Sequence, residues 1–507
     1  MPETIKNHEP PLIHSILKST GKDALRYVPA KVVPGITNLA ALLIYTRIFT
    51  TEDYGNFYLT MAFVSVVSIL GSRWLVESVT RFYARYELAK DLDAFFSSIV
   101  YSLVLTTLLL LVLAGGGIVI LSGKISPQLL PFLGVGILVY VTTSIYTVLL
   151  YTLRASLKAK TFSLCEILFS FGKLGLALVI VYLFKIGAIS LLIAVFLVQI
   201  PLVLFMLKRF SIFVRFRFKS VSKAAVGEFL RFGTPLIVSS LSLWLLLLSD
   251  RYMLSFFKGS AEVGIYSVSY SLVDRSVALI YTILMLAAYP IIIYTWEEKG
   301  KEVTQKLISD LSRYFFIICI PAFLGISVLS KEIFSVLVGK NFVESYKLVP
   351  FFAFCSLCAG LFQYVGKGLE IYQKTLILAF VVFLSGALNV GLNILLIPRY
   401  GALGAGVAKS ISYAGLIILG IKMSYSFLPW KISGGSVLRV SFAGTVMALC
   451  LILVKNLLPV SLLTLLFLMG LGVVIYTAVL FFSKEIRNGE IKVIKSYSAK
   501  LVRSLAS

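Results

Sequence analysis

Residues 95–122 read FFSSIVYSLVLTTLLLLVLAGGGIVILS, without a charged side chain from end to end. The hydrocarbon core of a bilayer is about 30 Å thick and takes about 20 helical residues to cross. This stretch is long enough to span it. Similar stretches recur at 27–48, 54–76, 129–153, 162–184, 187–207, 232–254, 264–294, 312–330, 347–369, 375–397, 402–423, 437–455 and 461–482. Only short polar connections separate them. About fourteen crossings use more than half of the 507 residues, which leaves no room for a soluble globular domain. Lipid cannot satisfy an open strand edge, so each crossing reads as a helix. The expected fold class is an all-α polytopic membrane protein with about 14 transmembrane helices.

Composition agrees. Hydrophobic residues make up 59% and charged residues 14%, with mean hydropathy +0.96. Soluble domains sit near ~45–50% and ~25%. The formal charge of +24 arises from 47 Lys+Arg against 23 Asp+Glu. Most of the cations fall on alternate connections, together with both tails. By the positive-inside rule that side is cytoplasmic. The expectation is a multi-pass protein of the cytoplasmic membrane with both termini in the cytoplasm, and nucleic acid is not an expected partner. The longest connection, 208–231, carries Lys208, Arg209, Arg215, Arg217, Lys219, Lys223 and Arg231, interleaved with Phe210, Phe213, Phe216 and Phe218. That pattern suits an amphipathic segment lying on anionic membrane lipid.

An internal repeat divides the chain. Lys160-Thr161 recurs as Lys374-Thr375, Gly172 as Gly386, and Lys185-Ile-Gly187-Ala188 as Arg399-Tyr-Gly401-Ala402, each 214 residues on. Arg26-Tyr-Val-Pro29 echoes Arg231-Phe-Gly-Thr-Pro235, and Arg47 echoes Arg251. Repeated bundles with a site between them are a common transporter plan. The expected organisation is a cytoplasmic tail (1–26), an N-lobe of six helices (27–207), a basic linker (208–231), a C-lobe of six helices (232–423), two extra helices (437–482) and a basic cytoplasmic tail (483–507). The two pseudo-symmetric lobes are expected to surround a central cavity.

Charge inside a bilayer is costly and usually faces the bundle interior. Lys173, Arg275, Lys31 and Lys409 lie within spans, with Asp274 as the one carboxylate counted against them. A cavity of that sign favours an anionic ligand such as a phosphate, so these four cations are substrate-binding candidates. The alternative for each is local pairing or snorkelling. Arg73, Glu77 and Arg81 follow the second span at helical spacing and share one face. They read as a gate or as an ion-pair ladder. Asp250-Arg251 has the same ambiguity. Asp274 and Glu77 are the candidate titrating groups for ion coupling. Pro29, Pro34 and Pro235 are candidate bends.

Enzyme signals are poor. Asp91-Leu-Asp93 has the DxD spacing of metal-dependent glycosyltransferases, but no domain surrounds it. Gly360…Gly366-Lys367-Gly368 departs from P-loop spacing and sits in an apolar stretch. Cys355 and Cys358 have CxxC spacing without further ligands, and the two histidines, His8 and His14, stand in the N-terminal tail. Neither a metal nor a cofactor is expected, and the chain is not expected to be an enzyme.

Several motifs resemble a known family. They are Arg47-Ile-Phe-Thr-Thr-Glu52-Asp53-Tyr54-Gly55, Phe232-Gly-Thr-Pro235, Ser249-Asp250-Arg251-Tyr-Met253 and Val263-Gly264-Ile-Tyr266. They are similar to motifs of the multidrug/oligosaccharidyl-lipid/polysaccharide exporter superfamily, in its O-antigen-type polysaccharide flippase branch. The resemblance covers about residues 20–480. It implies alternating access around a central cavity, and it adds Arg47 and Arg251 to the substrate-binding candidates. The implied cargo is a polyprenyl-pyrophosphate-linked glycan, moved to the outer leaflet for surface polysaccharide biosynthesis. A polysaccharide polymerase or glycosyltransferases would be working partners. A cation-coupled multidrug antiporter of the same superfamily is the alternative, although cationic drugs would want an acidic cavity. A membrane-embedded polymerase or ligase is a more distant one.

Overall fold

The protein is seen here as a computed structural model that describes residues 29–485. The expected tails therefore lie outside the described residues, apart from 483–485. Every regular element among the described residues is a helix. In chain order the long helices are α1 (Pro29–Ile48), α2 (Thr51–Leu88), α3 (Leu92–Leu121), α4 (Leu130–Ala155), α5 (Ala159–Phe184) and α6 (Ile189–Arg209). They continue as α7 (Lys223–Lys258), α8 (Ser260–Val328), α9 (Lys340–Ile371), α10 (Thr375–Tyr425), α11 (Gly434–Lys455) and α12 (Leu462–Phe482). Eleven of them, α2 to α12, are long and apolar enough to cross a membrane, and the apolar part of α1 is shorter.

The all-helical membrane fold is thus as expected, with fewer separate helices than fourteen crossings. The difference lies in α8 and α10. Each is two helices joined across a kink, at Gly300 and Gly401. Gly401 has φ +56°, in the left-handed region that glycine enters without a Cβ penalty. Its repeat partner Gly187 has φ +67° and turns the chain between α5 and α6. The two glycines of the repeat thus share a positive φ, although Lys185 is also left-handed (φ +52°) in the first turn and its counterpart Arg399 is not in the second. Upstream the register drifts. Helix α5 begins at Ala159 and α10 at Thr375, two residues off the glycine spacing. Pro34, Pro235, Pro290 and Pro321 lie inside helices that run on past them.

Local chemistry fixes other boundaries. Thr50 caps α2 by accepting the Asp53 N–H (3.1 Å), and Ser461 caps α12 by accepting that of Thr464 (3.1 Å). Asp91 caps α3 through the Ala94 N–H, and Asp93 pairs with Arg215 at 3.2 Å. Both carboxylates of the DxD spacing thus have a structural use.

Two compact units emerge. Unit 1 comprises described residues 29–42, 49–244 and 259–264; unit 2 comprises 43–48, 245–258 and 265–485. The core of unit 1 is aromatic, with Trp74, Phe95, Phe96 and Phe229 nearly inaccessible. Unit 2 buries Phe315, Cys319, Ile308 and Val440 in the same way. Outward faces are apolar too: Leu109, Val112 and Leu113 of α3 and Leu463, Val473 and Val474 of α12 are exposed. In water such faces would be a liability; in lipid they are the expected surface.

The basic connection packs onto the start of α3 within unit 1. The Ser97 and Ser98 hydroxyls accept the N–H groups of Arg217 and Ser222 (3.1 and 3.0 Å). Phe210 is buried, whereas Phe213, Val214 and Phe218 are more than 70% exposed.

Candidate functional site

The densest buried polar cluster lies in unit 2. Consecutive residues on α7, Asp250 and Arg251, point about 100° apart around the helix and so meet different neighbours. Asp250 is fully buried, and so is Lys409 of α10. The Lys409 Nζ donates to Asp250 Oδ2 at 2.5 Å and to the carbonyls of Leu246 and Leu247 at 3.1 Å each. An ammonium has three donors, and all three are used. Asp250 also accepts the Tyr266 hydroxyl at Oδ2 (2.6 Å) and the Asn393 amide at Oδ1 (2.6 Å). The same amide of Asn393 donates to Asn389 Oδ1 (3.1 Å) one turn earlier on α10. Because Gly401 separates Asn393 from Lys409, both segments of α10 contribute to the cluster.

Arg251, 3% exposed, takes the other direction. Its Nε donates to Ser267 Oγ (3.1 Å), its Nη1 donates to the Leu247 carbonyl (3.2 Å), and its guanidinium lies 5.2 Å from the Tyr270 ring centroid. Two charges taken out of water cost several kcal/mol each before pairing returns it, and removing one partner of such a pair typically costs ~3–5 kcal/mol. The hydrogen bonds around Asp250 are what make this burial tolerable.

Asp274 and Arg275 sit further along α8 on a π-helical turn, Asp274–Ala278. Such turns widen a helix locally and often mark functional sites. Asp274 is in electrostatic reach of Arg275, Arg251 and Lys409. Arg275 is half-buried and in electrostatic reach of Tyr45. A second π-helical turn, Ile69–Arg73, interrupts α2 in unit 1.

Unit 1 carries a looser arrangement. Lys173 on α5 is half-buried, with Nζ 5.1 Å from the Phe169 ring centroid. Phe169 packs on Tyr146 (centroids 5.2 Å), whose hydroxyl donates to Glu166 Oε1 at 3.2 Å. Glu166 and Lys173 are seven residues apart and share one face of α5. Nearby on α6, buried Gln199 accepts from Thr142 (2.5 Å) and Thr143 (3.2 Å) of α4.

The other candidates are placed as follows. Arg73 pairs with Glu77 at 2.7 Å, the first rung of the expected ladder, while Arg81 is exposed. Arg47 donates from Nη2 to the Val336 carbonyl at 3.1 Å. That carbonyl lies in the last turn of a short helix, Ser330–Leu337, so Arg47 satisfies a helix end. Lys31 lies in α1, and its side chain is outside the described residues.

These placements revise the charge count made from sequence. Lys409 is neutralised by Asp250, so it does not stand as an open cation. Glu166, which the count omitted, puts a second unassigned carboxylate in the apolar stretches beside Asp274. Its signal was a lone acid in the run Thr161–Phe184, easy to pass over so close to the stretch's start. Asn389 and Asn393 were also missed. Two amides one turn apart in an apolar stretch are the readable trace of such a cluster.

Comparison with known proteins places this architecture. The family model described as polysaccharide biosynthesis protein matches residues 22–296. The probable low-salt glycan biosynthesis flippase Agl15 of Haloferax volcanii is 25% identical over 259 residues, 50% of this chain and 54% of that protein. The probable lipid II flippase MurJ of Thermotoga maritima is 26% identical over 291 residues, 56% of this chain and 58% of that protein. The matches thus span little more than half the length of these curated relatives. The solved structure of a lipid II flippase MurJ in an inward closed conformation superposes with TM-score 0.75 at 15% identity, covering 90% of this chain and 99% of that one. At that identity the likeness speaks for the fold. The resemblance read from the motifs is borne out, and the chain belongs to the polysaccharide biosynthesis protein family.

Proposed function

We propose that this chain is a flippase that moves a polyprenyl-pyrophosphate-linked oligosaccharide from the cytoplasmic to the outer face of the cytoplasmic membrane by alternating access, for surface polysaccharide biosynthesis. The observation that carries the reading is the family match over residues 22–296, joined by two curated relatives that are both named as flippases, one of glycan biosynthesis and one of lipid II. Neither is named as an enzyme, which favours transport over a polymerase or ligase reaction.

The chemistry of this chain's residues supports the same cargo. A pyrophosphate carries its charge on oxygens that lysine and arginine satisfy by charge-assisted hydrogen bonds. Lys173 and Arg275 are half-buried intramembrane cations among the described residues. They are the proposed contacts for the headgroup, with the prenyl tail left in lipid. Lys409, held in the network around Asp250, and Arg251, held by Ser267, the Leu247 carbonyl and Tyr270, act through the shape of α7, α8 and α10 and are not headgroup contacts. Glu77, Asp274 and Glu166 are the proposed titrating groups for coupling to an ion gradient. The termini face the cytoplasm by the distribution of lysine and arginine. The exposed Phe213, Val214 and Phe218 beside Arg215 and Arg217 would rest on anionic lipid at that face. Glycosyltransferases that build the glycan, or a polymerase that extends it, are the proposed neighbours in the pathway.

The test is reconstitution. Purified protein in liposomes should make a fluorescent polyprenyl-pyrophosphate oligosaccharide accessible to a lectin on the opposite face. Protein-free liposomes should not. Equal accessibility in the two preparations would end the reading.

A further inference from the structure

A cavity of about 320 Å³ lies in unit 2, where α9 and α10 end and the connection 426–433 begins. Its apolar walls include Val365 of α9, Ile421 of α10, and Leu428 and Trp430 of the connection. Two polar residues line it as well. Ser424 is 2% exposed, and its hydroxyl has no hydrogen-bonding partner in the protein. Lys431 is exposed. The volume falls within the range of small-molecule pockets, which runs from about 300 to 1,000 Å³. A buried hydroxyl without a partner is costly, and a ligand that brings an acceptor into the cavity would satisfy it.

The surroundings indicate what that ligand is. Lys367, buried at the end of α9, is already engaged: its Nζ pairs with Glu370 Oε2 at 2.5 Å and lies 4.7 Å from the Tyr289 ring centroid. Next to it, Gly368 allows a close approach, since a Cβ there would stand 2.6 Å from Ser424 Oγ and 3.0 Å from Leu428 Cβ. Ser309 of α8 donates to the Lys431 carbonyl and so holds the connection in place. No residue of 426–433 is acidic. The approach to the cavity is apolar. Ile418, Ile421 and Tyr425 share one face of α10 and all three are exposed, so the stripe that reaches the cavity wall is one that hydrocarbon would cover. Aromatic rings gather at this end too. Tyr372 packs on Trp296 and Phe427, with centroids 5.2 and 5.7 Å apart, as expected where a helix bundle leaves the bilayer.

We infer that this cavity holds an anionic phospholipid, with an acyl chain against Val365, Ile421 and Leu428, an ester carbonyl accepting the Ser424 hydroxyl, and the phosphate at Lys431. Apolar wall, buried hydroxyl and exposed cation match the three parts of such a lipid: chain, ester and phosphate. On the orientation proposed above, this end faces the cytoplasm, the leaflet whose anionic lipids are recognised by basic pockets between helices. The site is distinct from the basic connection 208–231, which belongs to unit 1. It is also independent of the flippase reading, because its test reads lipid contact and not transport.

Photo-crosslinking of the full-length chain in liposomes tests it. Phosphatidylglycerol or phosphatidylcholine carries a diazirine in one acyl chain, and labelled peptides are mapped by mass spectrometry. The outward face of α12, at Leu463, Val473 and Val474, reports contact with bulk lipid. Relative to that face, phosphatidylglycerol should label residues 421–432 about fivefold more than phosphatidylcholine, about what one lysine beside an anionic lipid supplies. Lys431→Ala should remove this preference. Ile421→Trp, which fills the cavity from its rim, should remove the labelling by both lipids; if that variant does not fold, Lys431→Ala, at an exposed position, decides alone. Excess free glycerol phosphate should change nothing. Equal labelling by the two lipids in the wild type would overturn the inference, as would a preference that survives in Lys431→Ala or labelling that survives in a folded Ile421→Trp. Displacement by glycerol phosphate would also overturn it, by making the site one for a free anion, and displacement by a polyprenyl phosphate would do so by making it one for the cargo's lipid.

Discussion

The two halves of the repeat spend their intramembrane charges differently. In the second half Asp250 and Lys409 face each other with no exposure and every ammonium proton used. In the first half Glu166 and Lys173 are half-buried, tied into an aromatic cluster through Tyr146 and Phe169. The positions do not correspond. On the 214-residue spacing that relates the two glycines, Lys409 of the second half falls on Val195 of the first. A helix pair of this shape is therefore stable with or without buried charge at either place. The fully buried pair has the geometry of a structural and electrostatic device, and the half-buried residues have more of the accessibility that a binding surface needs.

The largest effect that would break this contrast is at the closed pair. Asp250→Asn leaves the Lys409 ammonium buried without its counter-charge and should cost about 3–5 kcal/mol in a denaturant melt. Lys409→Met alone should cost a similar amount. The double variant Asp250→Leu with Lys409→Met should recover most of it, since a buried pair replaced by apolar residues is often neutral. Val195→Lys, which places an ammonium at the matching buried point of the first half, should destabilise as well. Singles that melt like the wild type would mean that the pair is not held closed in the folded protein.

A smaller effect tests the shared backbone of the repeat. Gly187→Ala and Gly401→Ala each force a Cβ into a left-handed conformation and should cost about 1–2 kcal/mol apiece. Similar losses at the two sites would support one hinge geometry used twice. A neutral result at one site would mean that its turn relaxes to another conformation.

The pH dependence of unit 2 comes next. Glu485, 1% exposed, follows α12 and accepts hydrogen bonds from Arg313 Nε and Arg439 Nε, both at 2.6 Å, and from Ser436. Burial pushes its carboxyl up, but the bonds from Ser436, Arg313 and Arg439 together outweigh that and hold it below the ordinary range. A carboxyl that is lowered on folding adds stability above its unfolded value, and that stability is lost as pH falls through the folded one. The melting temperature should therefore fall as the medium is acidified below the ordinary carboxylate range. Glu485→Gln should lower it at neutral pH and flatten that slope. An unchanged slope would place the acid sensitivity elsewhere.

The smallest stability effect belongs to the half-buried Lys173. Lys173→Ala removes a half-buried cation–π contact and should cost less than about 1 kcal/mol. A larger loss would move Lys173 from the binding surface into the structural class that Lys409 occupies.

The sequence disclosed the crossings, because about 20 apolar residues in a row have one physical explanation. It offered the repeat as well, of which the structure shows a positive φ shared by Gly187 and Gly401. It did not disclose which buried charges meet. Lys409 and Asp250 are 159 residues apart, and no local spacing brings them together. Lys409 looks like a lone ionisable residue in lipid and so reads as a substrate contact, while Asp250 reads with its neighbour Arg251 as a gate or an ion pair. Glu166 escaped because a single acid near a helix start looks like an interfacial residue. Arg47 and Arg251, carried in by motif resemblance, hold a helix-end carbonyl and a serine–tyrosine face respectively. Motifs of that kind mark packing positions as readily as binding positions.

The central claim is that the half-buried cations Lys173 and Arg275, and not the fully buried Asp250–Lys409 pair, hold the anionic headgroup. Translocation of a labelled polyprenyl-pyrophosphate oligosaccharide in liposomes by the Lys173→Ala/Arg275→Ala protein, compared with wild type at matched amounts of folded protein, tests it directly. The account predicts that translocation is lost while the melting temperature stays near that of the wild type. Full translocation by the double variant would contradict it.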